Sequence, residues 1–207
     1  VRIGFFGVTI DSNPKDFVHY SDYLTAAKAS VQTLQTKGSD IVIGLTHLEL
    51  EQDIMVADEV ANIDFIMGGH EHFNMLVPTK GATVAKADAN AKSVYVHTLV
   101  YDLVSKTSAI SSELVLITDK VPSLPRVQRV VAKWDAILEQ EIKTVVDNPN
   151  EVIYKAEDFL DATDTPTRST QTNLGVLIAQ AMKESFNTPV DGALVNGGSF
   201  RLDDILQ

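Results

Sequence analysis

Three of the five histidines, His47, His70 and His72, stand at the ends of two successive apolar runs of strand length. His70 and His72 lie two apart in Gly68-Gly69-His70-Glu71-His72, behind a run from Ile63 to Met67. His47 follows Ile41-Val42-Ile43-Gly44-Leu45-Thr46 in the same manner. Paired glycines permit backbone angles that a Cβ would forbid, which lets both imidazoles turn toward one point. Neutral imidazole is a common ligand of zinc, manganese and iron, so the chemistry indicated is a metal site. An isolated His-x-His fits a solvated loop equally well; the second strand ending in a histidine is what favours a shared site. Near the other end, Ala193-Leu194-Val195 runs into Asn196-Gly197-Gly198-Ser199-Phe200-Arg201, and Arg168 stands in the polar stretch 161–169. Glycines that expose backbone N–H groups beside a guanidinium suit a phosphate or other anion, although a strand followed by Gly-Gly is often only a turn.

Positioning these residues requires strands whose carboxyl ends share an edge. Residues 1–9 read as a first strand, Asp11-Ser12-Asn13-Pro14 as turn chemistry, and Ser21-Asp22 as the cap of a helix. Leu24, Ala27, Val31 and Leu34 recur at helical spacing, with Gly38 where a helix would end. Residues 51–60 repeat the pattern, with Ile54, Ala57 and Val60 or Ala61 inward. Parallel strands joined by such helical crossovers bring their carboxyl ends together, where open α/β folds hold ligands.

From Thr83 onward antiparallel sheet is expected, with alternation over Val94, Val96, Thr98 and Val100, a turn at residues 105–108 and a return strand over 110–117. His97 belongs to this alternation and is expected to be a packed or hydrogen-bonded sheet residue, and His19 a solvated one. Pro122 and Pro125 mark a boundary before a long amphipathic helix striped by Val127, Val130, Trp134, Ile137 or Leu138, Ile142 and Val145. Beyond it the expectation is a strand at Val152-Ile153-Tyr154, a polar loop over 161–169 and a helix over 173–186. That helix should bury Leu174, Leu177, Ile178, Ala181 and Met182, and a strand should follow at 193–195.

Composition narrows the partners. A net charge of -11 argues against a nucleic-acid polymer or an anionic membrane surface, and a small anionic substrate would need a local positive centre such as a metal. No apolar run approaches the roughly 20 residues of a transmembrane span. The absence of cysteine excludes disulfides and thiolate ligands. No targeting segment is visible, and the chain opens in a strand and closes in mid-element, so both ends are expected to be cuts.

Thr46-His47-Leu48, Gly68-Gly69-His70-Glu71-His72, Thr172-Asn173-Leu174-Gly175 and Asn196-Gly197-Gly198-Ser199-Phe200-Arg201 follow one another along nearly the whole chain. In that order they resemble the two-domain 5'-nucleotidase family of calcineurin-like metallophosphoesterases, which includes UDP-sugar hydrolases and 2',3'-cyclic-nucleotide phosphodiesterases. The resemblance implies an α/β chain. Residues 1–122 would be the second half of a four-layer metallophosphoesterase β-sandwich, 123–148 a linker helix, and 149–207 the start of an α/β carboxyl-terminal domain. It implies that His47 and His70 bind one metal and His72 another, with two divalent metals, zinc, manganese or similar, in the complete enzyme and none or one in this chain. Arg168 and Arg201 would hold the nucleotide, with Asn196, Gly197 and Gly198 beside them, and Glu71 would point away.

The family's Asp-x-His, Gly-Asp and Gly-Asn-His blocks and its aromatic base clamp are not found here; the resemblance places them before Val1 and after Gln207. The implied activity is hydrolysis of nucleotide phosphoric esters by the complete protein, with the catalytic residues outside this chain and little or no activity from the 207 residues alone. Cyclic-nucleotide phosphodiesterase or UDP-sugar hydrolase chemistry is one alternative. A non-catalytic relative that binds a nucleotide or a protein partner is another. The compartment implied is periplasmic, secreted or cell-surface.

Overall fold

The computed structural model describes residues 1–12 and 14–206, so Asn13 of the expected turn and the terminal Gln207 lie outside the described residues. The chain forms two compact units, Val1–Leu124 and Pro125–Gln207.

The first unit runs β1 (Ile3–Thr9), α1 (Tyr23–Thr36), β2 (Ile41–His47), α2 (Leu50–Glu59), β3 (Phe65–Gly68), β4 (Met75–Pro78), β5 (Thr83–Lys86), β6 (Ser93–Asp102) and β7 (Thr107–Leu116). Helix α1 begins where the Asp22 carboxylate accepts from the Thr25 N–H at 2.8 Å, as an N-cap does. It closes before Gly38, whose φ of 78° is open to glycine at little cost. The main sheet has the order β1-β2-β3-β5-β4. The first four in that order are parallel, and their register sets Thr9 beside His47, Thr46 beside Gly68 and Gly68 beside Lys86. One sheet edge therefore collects the ends of all four strands.

Burial on both faces explains the unbroken apolar run of β2. Val42 joins Phe6, Ile66 and Val84 beneath Ala27 of α1 and Val56 of α2. Ile41 and Ile43 join Phe65 and Ala85 against Tyr95, Leu99 and Ile110 of the β6–β7 hairpin. The unit is mixed α/β, with helices on one face of a mostly parallel sheet and a two-stranded antiparallel sheet on the other. His97 sits as expected, with Nδ1 2.9 Å from Ser112 Oγ and its ring 4.6 Å from that of Phe65.

One boundary differs from expectation. Antiparallel pairing does not begin at Thr83: β5 pairs parallel with β3, and the antiparallel strand is the earlier β4 at the sheet edge. Four residues that are largely buried read the same from sequence in either orientation, and only the pairing partner decides.

The second unit comprises α3 (Pro125–Lys143), β8 (Leu160–Asp161), α4 (Asp164–Ser169), α5 (Asn173–Glu184) and β9 (Ile205–Leu206), the two short strands pairing antiparallel. Residues 161–169, expected to be a loop, contain helix α4, because Thr163 and Asp164 supply helix-start chemistry that Pro166 in the first turn does not oppose. Val152-Ile153-Tyr154 and Ala193-Leu194-Val195 are not strands; Ile153 and Leu194 are 93% and 97% exposed, and neither segment has a pairing neighbour among the described residues. Helix α5 buries none of its residues fully, and Ala181 and Met182, expected inside, are exposed. The apolar stripe of α3 is likewise exposed along its length.

Candidate functional site

Strands β2 and β3 deliver His47 and the Gly68-Gly69 pair to the same sheet edge, and the Gly69 N–H donates to the Thr46 carbonyl at 3.0 Å. That bond carries the parallel pairing one residue past the strand and draws the His70 loop against His47. The two rings meet edge to face with centroids 5.3 Å apart. His70 and His72 both have positive φ, 98° and 67°, a region that residues with a Cβ rarely occupy and that tends to mark functional loops. Beside them a cleft of about 510 Å³ is lined by Gly7–Thr9, Leu45–His47 and Met67–Gly69, the three adjoining strand ends.

Three acidic or basic side chains around this rim did not stand out in the sequence. Glu49, the residue that caps α2, places Oε1 2.9 Å from His70 Nε2 and so fixes that imidazole's orientation. Lys86, 1% exposed at the end of β5, donates to the Leu48 carbonyl at 2.7 Å and to Glu71 Oε2 at 2.6 Å. Asp53, fully buried on α2, lies 2.8 Å from the same ammonium as a charge pair rather than an aligned hydrogen bond. Burial pushes the Asp53 carboxyl above its usual value, against the pull of Lys86 and Thr46. Glu71 therefore points inward to Lys86. A glutamate between two histidines gives no sign in the sequence of a buried cation fifteen residues on. The signal available was Lys86 itself, a lone charge ending an apolar strand.

The structure brings His47 and His70 together. His72 lies exposed on the same loop, and among the described residues no three His, Asp or Glu side chains converge closely enough to hold a metal. The donor set fits a divalent metal in kind, since imidazoles are presented from two strand ends with a carboxylate orienting one of them. In number it supplies part of a coordination shell.

In the second unit Asn196 Oδ1 accepts from the Gly198 N–H at 3.0 Å and folds residues 197–199 into a tight turn. A Cβ at Gly197 would stand 2.0 Å from the Thr167 carbonyl oxygen, and one at Gly198 3.3 Å from Arg168 Nη1. Only glycine admits that approach. Arg168 Nε is held by Asp164 Oδ1 at 2.7 Å, which leaves the terminal nitrogens beside the turn. Arg168, Asn196, Gly197 and Gly198 are thus gathered, and Arg201 is exposed just beyond them.

No protein-family model matches the chain. Against curated proteins it is 26% identical to human 5'-nucleotidase over 223 residues, covering 92% of this chain and 37% of that protein. It is 24% identical to a trifunctional nucleotide phosphoesterase of Bacillus subtilis, covering 97% of this chain and 14% of that one. Its homologues include 5'-nucleotidases, that phosphoesterase and an apyrase of Aedes aegypti. The crystal structure of a 5'-nucleotidase precursor from Thermus thermophilus shares the fold over 83% of this chain and 36% of its own, with a TM-score of 0.63 and 24% identity. The chain thus spans little more than a third of the length of the human 5'-nucleotidase it matches. Among the described residues no helix is long and apolar enough to cross a membrane.

Proposed function

We propose that this chain is part of a metal-dependent phosphoric-ester hydrolase acting on nucleotides. The observation that carries the reading is the approach of His47 and His70 at the carboxyl edge of a parallel sheet, beside an open cleft. His47 and His70 would hold one divalent metal and His72 would contribute to a second, with zinc and manganese the ions suited to imidazole. Such a metal, when bound, supplies Lewis acidity toward a phosphoryl oxygen. The chain's own work is to aim the ligands: Glu49 fixes the His70 ring, and the Gly69–Thr46 bond holds the two loops side by side.

In the second unit Arg168, Asn196, Gly197, Gly198 and Arg201 are proposed to hold the anionic part of the nucleotide. The gathering of the first four supports this, because the Arg168 guanidinium, with its terminal nitrogens beside the turn, offers donors that a phosphate requires. The names of the homologues support nucleotides as the substrate class. An exported or surface location belongs to the same proposal, supported by the Thermus protein being a precursor.

The test is phosphate release by the protein that carries this chain, from a nucleoside 5'-monophosphate, a 2',3'-cyclic nucleotide and a UDP-sugar. Release from the monophosphate should vanish on chelation, return with zinc or manganese, and fall about 100-fold or more in His70→Ala. Turnover that survives chelation or is unchanged in the variant overturns the reading. The 207 residues alone are expected to release little or no phosphate, since the family resemblance assigns the catalytic residues to blocks not found in this chain.

A further inference from the structure

Two loops carry the histidines, and one buried ammonium touches both. Lys86 Nζ donates to the carbonyl of Leu48, the residue after His47, and to the carboxylate of Glu71, the residue between His70 and His72. Asp53 on α2 is its third neighbour. An ammonium has three protons, and these three neighbours belong to three segments of the chain. The sheet is shaped to admit it. Gly68 lies beside Lys86 in register, and a Cβ there would stand 2.8 Å from Lys86 Cε and 3.0 Å from Asp53 Oδ2. The glycine that opens the histidine loop is therefore also what gives the lysine stem its path.

Packing alone does not account for a charge in this place. Taking an ammonium and two carboxylates out of water is costly, and an apolar side chain of similar volume would fill the site as well or better. What an apolar residue cannot do is grip a backbone carbonyl and a carboxylate on two separate loops. The positive φ values at His70 and His72 point the same way, because such backbone persists only where its surroundings hold it. Glu71, the residue between them, is anchored by Lys86.

We propose that Lys86 is a positioning residue that fixes His47 and the His70–His72 loop in relation to each other, acting through the Leu48 carbonyl and Glu71. The functional meaning of this clamp rests on the metal-site reading above, but its geometry can be tested with no metal present.

The experiment compares Lys86→Met, Glu71→Gln and the double variant in the full chain. It follows amide hydrogen exchange and the imidazole NMR signals of His70, His72 and His97, with His97 as the reference because it lies in the same unit away from the clamp. Lys86→Met should speed exchange over residues 69–73 by about tenfold or more, while residues 41–46 stay within about twofold. The His70 and His72 signals should move and that of His97 should not. Glu71→Gln should give a smaller copy of the same pattern, and the double variant no more than Lys86→Met alone.

Exchange that rises equally throughout the unit, a His97 signal that moves with the others, or additive effects would overturn the proposal by making Lys86 an ordinary core residue. If Lys86→Met does not fold, Glu71→Gln decides alone, since that side chain is 13% exposed and removes only one arm of the clamp; unchanged loop exchange there overturns the proposal. Absence of metal-dependent hydrolysis in the unaltered protein would count against the proposed function and leave the clamp result standing.

Discussion

The histidine loops and the glycine turn are held in place by different means. The loops leave a sheet whose two faces are both buried, with Val42, Ile66 and Val84 on one side and Ile43 and Phe65 on the other. In residues 125–206, Ala162 is the one buried hydrophobic side chain among those described. Order around Arg168 and Gly197 comes from polar contacts instead. Thr167 Oγ donates to the carbonyls of Thr163 and Asp164, Asp203 accepts from the Asp164 N–H, and Asn196 accepts from Gly198. A buried aliphatic side chain contributes about 1.5–3 kcal/mol and a typical hydrogen bond about 1 kcal/mol net. The lesson is that the histidine rim is rooted in a core, whereas the anion turn is set by local geometry.

The strongest test of that contrast is truncation in each unit. Ile66→Ala, at a fully buried site, should cost about 2–5 kcal/mol in urea unfolding. Trp134→Ala removes a larger side chain that is 61% exposed on α3 and should stay within about 0.5 kcal/mol. A Trp134 effect as large as that of Ile66 would mean that the α3 stripe is covered in solution, and the contrast would fail. A smaller effect is expected from Gly197→Ala. Its new Cβ meets a backbone carbonyl rather than a side chain that can swing away, so about 1–3 kcal/mol of overpacking is expected, confined to the second unit. NMR signals of residues 164–169 should shift while those of 41–47 stay fixed. No shift at 164–169 would show that the turn and α4 are not in contact.

How much was legible in the sequence follows the same division. Buried strands announce themselves: Ile41-Val42-Ile43 before His47, and the apolar run before Gly68-Gly69, led directly to the adjoining strand ends where His47 and His70 meet. Where burial is slight, hydrophobic pattern misleads. Val152-Ile153-Tyr154 and Ala193-Leu194-Val195 look like strands by residue type, but strand formation needs a partner, and these segments pair with nothing among the described residues. Lys86, Asp53 and Glu49 were missed for another reason. Each is an ordinary charged residue in its own segment, and their meeting depends on the β3–β5 register and on where α2 packs, which no local pattern encodes. Proximity of Arg168 to the Gly197-Gly198 turn was indicated by resemblance alone until the close approach of Gly197 to Thr167 gave it a physical cause.

The smallest expected effect concerns pH and again separates the units. Burial against Phe65 and Tyr95 holds His97 below the usual imidazole value of 6.5. As pH falls below 6.5 the unfolded chain takes up this proton before the folded chain does, so the unfolded state binds more protons and stability declines. The contribution is present in full above 6.5 and is lost progressively down to the lowered folded value. In the second unit the resolved shift is that of Asp161, held below 3.8 by Thr163, so its contribution is lost only at more acid pH. Between pH 7.5 and 5.5, therefore, His97→Gln should flatten the decline in the urea midpoint of the first unit and leave α4 and α5 unaffected. Its amide keeps a partner for Ser112, which separates loss of the titrating group from loss of the hydrogen bond. An equal decline in variant and unaltered chain would show that the acid sensitivity of the first unit comes from groups other than this sheet histidine.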